Sequence, residues 1–373
     1  MKRESASVWA VMTGVRLLLG LPRPVQRAIA GRPVEVDGRR LALSAQVLTR
    51  VARWAPFDEP HRGGSIGKVR RELDRAGVLA GATAGADVAT RDVVVPGPGG
   101  PLRARIYEPG GCTAPAPSLV YFHGGGFVLG SVDTHDGACR VLAKESGVQV
   151  ISVNYRLAPE HPFPAAPQDA VAAFRHIAEH ADEFGVDRAR LAVGGDSSGA
   201  NLAAVVSHAA TRGEGPLPAF TLLIAPATDA LGGSASHRKF ASGFRLDRDE
   251  WQWYRTRYLT DPADYTDPRA SVLHDDSVGG LPPTYIATCG FDLLRDEGEA
   301  YAQKLEDAGV AVVFRCHGGQ LHGYVNRAGF DPDALSALVH DAGVLRAGLR
   351  LSPPVTTETA RPRLAADTGR GSL

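Results

Sequence analysis

The chain has 373 residues, of which 44% are apolar and 22% are charged, so it is long enough to bury the core of one large domain with an accessory segment. This composition excludes a collagen-like, disordered or disulfide-stapled chain. Lysine plus arginine and aspartate plus glutamate each total 41, and no run of basic residues stands out. Because the chain lacks the excess positive charge that binds nucleic-acid phosphates, we expect no nucleic-acid partner.

The first 88 residues are predicted to be mainly helical, because apolar residues recur at helical spacing in residues 41–54 and 66–79. Residues 8–21 form a fairly apolar stretch that polar residues interrupt. This stretch is too short for a membrane-spanning helix, and no clean signal-peptide cleavage site follows it. Its spacing predicts an amphipathic helix that either packs on the protein or lies against a membrane surface.

From residue 92 onward, short β-branched runs alternate with Ala-rich stretches, which is typical of a mostly parallel sheet flanked by helices. The first two runs are short and close together, so they predict an antiparallel hairpin at the edge of the sheet. The eight predicted strands are 92–96, 103–107, 119–122, 148–154, 191–193, 220–224, 285–288 and 310–315.

A longer insert separates the sixth and seventh predicted strands and carries a cluster of tryptophan and tyrosine residues on a predicted helix. The end of the chain is rich in Pro, Thr, Arg and Gly, which indicates a disordered tail. The predicted organisation is an N-terminal helical segment at 1–88, an α/β domain at 89–350 with its insert at about 229–283, and a tail at 351–373.

The four cysteines are widely spaced, with no Cys-x-x-Cys pair and no spacing typical of a zinc site. We therefore expect free thiols and a cytoplasmic protein. Cys289 and Cys316 lie near the ends of two neighbouring predicted strands, a placement in which two cysteines could be close in space.

Residues 195–199 read Gly-Asp-Ser-Ser-Gly, between the predicted strand 191–193 and an Ala-rich helix. A G-x-S-x-G run in this context places its serine on a sharp strand-to-helix turn, where the hydroxyl is exposed for nucleophilic attack. The N-terminus of the following helix directs free N–H groups toward developing negative charge. The motif therefore predicts Ser197 as a nucleophile.

The sequence His-Gly-Gly-Gly-Phe at residues 123–127 follows the third predicted strand. Acyl transfer places negative charge on the carbonyl oxygen, and each preorganised N–H donor stabilises that charge by about 3–4 kcal/mol. Consecutive glycines let the backbone approach a substrate without side chains in the way. The loop therefore predicts an oxyanion hole shared with the N–H of Ser198, and His123 is expected to brace the loop.

Two acids and two histidines follow the last two predicted strands, in the chain order serine, acid, histidine. Asp292 lies at the strand end, whereas Asp296 lies where a helix begins and suits a cap, so Asp292 is the preferred acid. His322 lies farther along its loop than His317 and is the preferred base, because the base must reach the serine. Asp296 and His317 remain the alternatives.

Together these motifs resemble the hormone-sensitive-lipase branch of the α/β hydrolases, whose bacterial members are carboxylesterases. Residues 154–160, Asn-Tyr-Arg-Leu-Ala-Pro-Glu, resemble the segment that follows the fourth strand in that branch. Residues 290–296 and 322–324 resemble its acid and base segments. The resemblance covers about residues 90–350, and it departs at Ser198, where the branch more often has alanine.

The resemblance implies the α/β-hydrolase fold, a mostly parallel eight-stranded sheet flanked by helices, with a helical cap built from the N-terminal segment and the insert. It implies a catalytic triad of Ser197, Asp292 and His322. The implied oxyanion-hole donors are Gly124, Gly125 and Gly126, with Gly125 preferred, together with Ser198. Further residues expected to contact substrate, or to pack the cap core, are Phe127, Trp251, Trp253 and Tyr254.

The implied activity is hydrolysis of short- to medium-chain carboxylic esters through an acyl-enzyme on Ser197, with no metal and no cofactor. An amidase or deacetylase with the same triad remains the alternative, and a non-catalytic binding protein is disfavoured because His322 is present. The expected partner is a small-molecule ester. A weak membrane contact through the N-terminal segment and a homodimer are left open.

Overall fold

A computed structural model describes residues 2–52, 61, 63–81, 85 and 87–350, so the predicted disordered tail lies outside the described residues. The N-terminal segment contains helices α1 to α4 and a small hairpin of strands β1 and β2, which the sequence did not predict. Their bounds are α1 Lys2–Leu19, α2 Arg23–Ala30, β1 Glu35–Val36, β2 Arg39–Arg40, α3 Leu43–Ala52 and α4 Ile66–Gly81.

The N-terminal helices pack against one another and against the loop that precedes α12 through a small apolar cluster. Leu19, Ala30 and Val47 are buried against one another, and Phe330 from the end of the chain's last long loop packs on them. The side chain of Leu17, by contrast, is 68% exposed. No helix in the described ranges is long and apolar enough to cross a membrane.

The remaining strands form one eight-stranded sheet, and all eight predicted strands are confirmed in order. In space the strands run β10-β9-β8-β7-β5-β6-β4-β3. Strands β3 and β4 form the predicted antiparallel hairpin at one edge, and the pairs from β6 to β10 are parallel. The bounds are β3 Ala89–Gly97, β4 Gly100–Glu108, β5 Ala116–Phe122, β6 Gln149–Val153, β7 Val186–Asp196, β8 Thr221–Ile224, β9 Thr284–Phe291 and β10 Val312–Leu321.

Helices cover both faces of this sheet because its central strands are apolar on both sides. On β5, Val120 belongs to one apolar core and its neighbour Leu119 to the other, as the alternation of side chains along a strand requires. Helices α6, α8 and α11 pack on the first face, and α5 and α12 on the second. The helix bounds are α5 Asp136–Ser146, α6 Ala165–Glu179, α7 Ala181–Phe184, α8 Ser198–Thr211, α9 Ala235–Lys239, α10 Arg248–Tyr258, α11 Arg295–Asp307 and α12 Pro332–Gly348.

The predicted insert between β8 and β9 carries α9, α10 and two short 3-10 helices, Pro262–Thr266 and Val272–His274. Helix α10 begins where the Asp247 carboxylate accepts a hydrogen bond from the N–H of Glu250 at 2.8 Å. This N-cap fixes the register of the helix and thereby the direction in which its aromatic side chains face.

All four cysteines are free. Cys316 on β10 pairs in register with Thr288 on β9, and His317 pairs with Cys289. Because successive side chains on a strand alternate between the faces of a sheet, the Cys289 and Cys316 thiols lie on opposite faces. The two cysteines are thus on neighbouring strands, as expected from the sequence, but their thiols are separated by the sheet.

Candidate active site

The hydroxyl of Ser197 lies on a strained turn between β7 and α8. Ser197 has φ +55° and ψ −121°, a conformation that a non-glycine residue rarely adopts. At Gly199, two residues later, a Cβ would collide with the backbone of Phe122 on β5. The glycine therefore lets the first turn of α8 lie directly against the sheet, and this contact holds the serine at the carboxyl edge of the strands.

His322 and Asp292 complete a chain of hydrogen bonds with this serine. The Nε2 atom of His322 lies 2.9 Å from the Oγ of Ser197, and its Nδ1 lies 2.6 Å from Oδ2 of Asp292. Asp292 is 2% exposed, and its other carboxylate oxygen accepts the N–H of Leu294. The three side chains come from the ends of β7, β9 and β10, because parallel strands direct their carboxyl ends to one edge of the sheet.

The two alternatives from the sequence are engaged elsewhere. Asp296 accepts the N–H of Ser236 at 2.7 Å and a hydrogen bond from Arg295 at 2.8 Å. Its side chain does not cap its own helix α11, contrary to the expectation, because it is drawn toward the start of α9. His317 lies 2.8 Å from the buried carboxylate of Asp341 on α12.

The environment of His322 favours its charged form. Burial alone would lower its pKa, but the charge and the hydrogen bond of Asp292 outweigh burial, and the pKa of His322 is raised above 6.5. The Arg245 guanidinium opposes this rise. An imidazole held in this way is a stronger base toward the serine proton than an isolated one.

The glycine loop after β5 has three backbone N–H groups, of which one is hydrogen-bonded within the protein and two are available to a substrate. The N–H of Gly124 donates to Oδ1 of Asp196 at 3.0 Å, so Gly124, expected as an oxyanion-hole donor, is already engaged. The N–H groups of Gly125 and Gly126 donate to no other described residue, and both glycines line the cavity beside Ser197.

His123 braces this loop from within the core. Its ring is fully buried and stacks on Tyr155 with 4.3 Å between ring centroids, while its Nδ1 lies 2.9 Å from the Gly124 carbonyl oxygen. Burial lowers the pKa of His123 to about 3, so the ring is neutral at physiological pH. The Tyr155 hydroxyl donates to the His123 carbonyl oxygen at 2.8 Å and holds the loop from the other side.

The carboxylate of Asp196 connects three parts of the site, and sequence reasoning missed this role. It accepts hydrogen bonds from Tyr121 at 2.6 Å and from Gly124, and it lies 3.2 Å from Nε2 of His135. The same His135 nitrogen lies 3.2 Å from Nδ2 of Asn326, in the loop that follows His322. The one signal in the sequence was the position of Asp196 inside the serine motif.

A cavity of about 290 Å³ opens above Ser197 and His322. Its described walls come from the glycine loop, the start of α8, the insert and the loop after β10. Helix α10 provides one side of it, because residues three and four positions apart share a helix face. The cavity-facing residues of α10 and its preceding turn are Arg245, Leu246, Glu250, Trp251, Tyr254, Arg255 and Tyr258.

Three of the four predicted substrate-contacting residues, Phe127, Trp251 and Tyr254, line this cavity. Trp253 does not: its ring lies on the other side of α10, where Arg257 covers it with 4.0 Å between the guanidinium carbon and the ring centroid. The helical period explains the difference, since Trp253 is two residues from Trp251 and therefore points away from it. Tyr258 and Arg245 are further lining residues that the sequence did not single out for the site.

In the part of the chain that the structure describes, no three His, Cys, Asp or Glu side chains cluster in a way that could hold a metal ion. The arrangement around Ser197 is an activated hydroxyl beside a buried histidine–carboxylate pair and two unengaged backbone donors. Such a constellation supports nucleophilic acyl transfer.

Comparison with known proteins gives matches across most of the chain. The family described as α/β hydrolase fold matches residues 119–326. The carboxylic ester hydrolase LipN of Mycobacterium tuberculosis is 44% identical over 323 residues, which are 85% of each chain. An ethyl acetate hydrolase of Pseudomonas putida is 39% identical over 64% of this chain and 76% of its own.

A solved structure of an ester hydrolase from the metagenome of Lake Arreo is similar to this chain with a TM-score of 0.77 and 40% identity. The match covers 82% of this chain and 98% of that one. The fold, the motifs and these matches agree. The chain belongs to the hormone-sensitive-lipase-like branch of the α/β-hydrolase family.

Proposed function

We propose that the protein is a serine carboxylesterase that hydrolyses short- to medium-chain esters through an acyl-enzyme on Ser197. The hydrogen-bond chain from Ser197 through His322 to Asp292 is the observation that carries the proposal. The names of the relatives support the same chemistry, since they include a carboxylic ester hydrolase and an ethyl acetate hydrolase.

In the first step, the Ser197 Oγ attacks the ester carbonyl carbon while Nε2 of His322 takes the hydroxyl proton. The resulting oxyanion is stabilised by the N–H groups of Gly125 and Gly126 and by that of Ser198, the first residue of α8. When the carbon–oxygen bond to the alcohol breaks, His322 returns the proton to the leaving alkoxide. Water then attacks the acyl-enzyme with the same assistance, and the acid is released.

The cavity favours small esters. Its volume of about 290 Å³ lies just below the usual range for small-molecule sites, which begins at about 300 Å³. Arg245 and Glu250, which lie 3.7 Å apart, place charge on the wall contributed by the insert. A long alkyl chain would have to desolvate these groups, so we propose a preference for short and medium acyl chains.

The test is hydrolysis of p-nitrophenyl esters from acetate to palmitate by the wild-type protein and by Ser197→Ala. We expect activity to peak at short or medium chains and to fall about a million-fold in the variant. Ser207→Ala is the matched control and should keep its activity, because Ser207 lies on α8, the helix that follows Ser197, and its hydroxyl is hydrogen-bonded to Thr221 and not part of the cavity wall. Retained turnover in Ser197→Ala would show that another residue is the nucleophile.

We further propose that residues 1–88 and the insert together form a cap on the catalytic domain at 89–350. Helix α10 of the insert lines the cavity, and Arg70 of α4 donates to the carbonyl oxygen of Val128, just after the glycine loop. We also propose a weak membrane contact through α1, on which the Leu17 side chain is exposed. A homodimer is a separate proposal. Co-sedimentation with lipid vesicles and analytical ultracentrifugation test these two proposals.

A further inference from the structure

Two buried hydroxyls on the wall of the cavity make no hydrogen bond with any described residue. Tyr258 is 2% exposed and Ser198 is 1% exposed, and both line the cavity. A buried hydroxyl without a partner is costly, so native structures nearly always supply one from protein, water or ligand. Because both residues line the cavity, a molecule bound in the cavity can supply the missing hydrogen-bond partner.

Both residues lie beside the nucleophile. Ser198 follows Ser197 directly, and the Tyr258 ring stacks on Phe127 of the glycine loop with 3.8 Å between ring centroids. Tyr155 donates its own proton to the His123 carbonyl oxygen at 2.8 Å, and its oxygen can still accept the proton of Ser198, so Tyr258 is the hydroxyl of the two that has no acceptor of its own. We call Ser198 and Tyr258 the hydroxyl pair.

The walls around the hydroxyl pair are apolar. Asn201, on the first turn of α8, donates to the carbonyl oxygens of Ala227 and Ala270, each at 3.0 Å, and holds both alanines against that turn. Both alanines line the cavity, as does the buried Leu259 next to Tyr258. A polar pair on an apolar wall fits a mostly apolar group that carries one hydrogen-bonding oxygen.

We propose that the hydroxyl pair binds an ether or hydroxyl oxygen within the substrate, with Tyr258 as the main donor. The preferred esters then carry an oxygen in one of their two chains, rather than an unbroken alkyl chain of the same length. This inference rests on the proposed esterase function and names its substrate class. A site that presents a buried hydroxyl discriminates against a ligand that leaves this hydroxyl unpaired.

The test compares p-nitrophenyl pentanoate with the ethoxyacetate and 3-methoxypropanoate esters, which have the same number of chain atoms. A second series compares the acetates of pentanol and 2-ethoxyethanol, so that the oxygen lies on the alcohol side. For each pair we would measure the ratio of kcat/KM for the oxygenated ester to that for the alkyl ester. Comparing this ratio between protein variants cancels the intrinsic reactivity of each ester.

In Tyr258→Phe we expect the ratio to fall about threefold to tenfold in one of the two series, which identifies the half of the ester that contacts the pair. Ser198→Ala, which keeps its backbone N–H, should lower the same ratio by a smaller factor. Tyr254→Phe is the matched control, because Tyr254 lines the same cavity and its hydroxyl already donates to Glu250 at 3.1 Å. Its ratio should stay within about twofold of the wild type.

Unchanged ratios in Tyr258→Phe and Ser198→Ala, with the alkyl esters still hydrolysed, would overturn this inference and leave the esterase proposal standing. The hydroxyls would then be satisfied by water alone. Absence of turnover on every ester by the folded wild-type protein would overturn the esterase proposal and this inference with it. Thermal unfolding of each variant shows whether a decrease in the kcat/KM ratio comes from the changed pocket or from misfolding.

Discussion

Exchange of the buried acid, Asp292→Asn, tests how the histidine is activated. The Asp292–His322 contact of 2.6 Å lies between two buried side chains, so it combines a charge with a directed hydrogen bond. An amide keeps the shape but removes the charge, and its NH₂ group favours the wrong imidazole tautomer. We expect kcat/KM to fall about 10³- to 10⁴-fold, equivalent to about 4–5.5 kcal/mol of transition-state stabilisation.

The pH dependence of the same variant has a defined sign. The base must be neutral to take the serine proton, so kcat/KM rises with pH through the pKa of His322. In the wild type, Asp292 outweighs burial and raises this pKa above 6.5, so the acidic limb lies above that pH. Without the carboxylate charge, burial and Arg245 lower the pKa of His322, and the acidic limb should move to lower pH.

Asp296→Asn is the matched control, because this acid lies four residues away but binds Ser236 and Arg295 instead of the histidine. We expect less than about a tenfold loss and no shift of the acidic limb. The assay is p-nitrophenyl ester hydrolysis between pH 5 and 9, with ionisation of the released p-nitrophenol corrected at each pH. A larger loss in Asp296→Asn, or an acidic limb in Asp292→Asn that stays in place or moves upward, would refute the assigned role of Asp292.

Gly125→Ala should reduce kcat by about 10²- to 10³-fold in steady-state assays, because Gly125 has φ +125° and a Cβ would collide with a backbone carbonyl, displacing a proposed oxyanion donor. Gly110→Ala, at an open position, should leave kcat unchanged, and equal losses in both would contradict this role. In urea unfolding, Asp169→Ala should lower the free energy of unfolding by about 3 kcal/mol, because it leaves the guanidinium of Arg156 without its fully buried partner. Asp187→Ala, which breaks a surface ion pair, should cost no more than about 1 kcal/mol, and equal costs would contradict the importance of burial.

Much of the fold could be predicted from the sequence, because strands and turns are indicated by residues that are neighbours in the chain. β-Branched runs and turn residues indicated all eight strands of the main sheet, including its antiparallel edge hairpin. The pattern did not predict the β1–β2 hairpin, whose strands are only two residues long and carry no apolar alternation. Such short elements depend on their neighbours: Ala42, just after β2, donates to the Gly319 carbonyl oxygen on β10.

The sequence by itself determined the reaction class and the chain order of the triad, since a serine motif, a glycine loop and late acid and histidine residues follow successive parallel strands. Only the tertiary structure placed Asp292, and not Asp296, beside His322. It also showed that the N–H of Gly124 is engaged by Asp196 and that Trp253 faces away from the cavity. These outcomes depend on distances of a few ångströms between residues far apart in the chain, and on the rotation of one helix, which local sequence patterns do not encode.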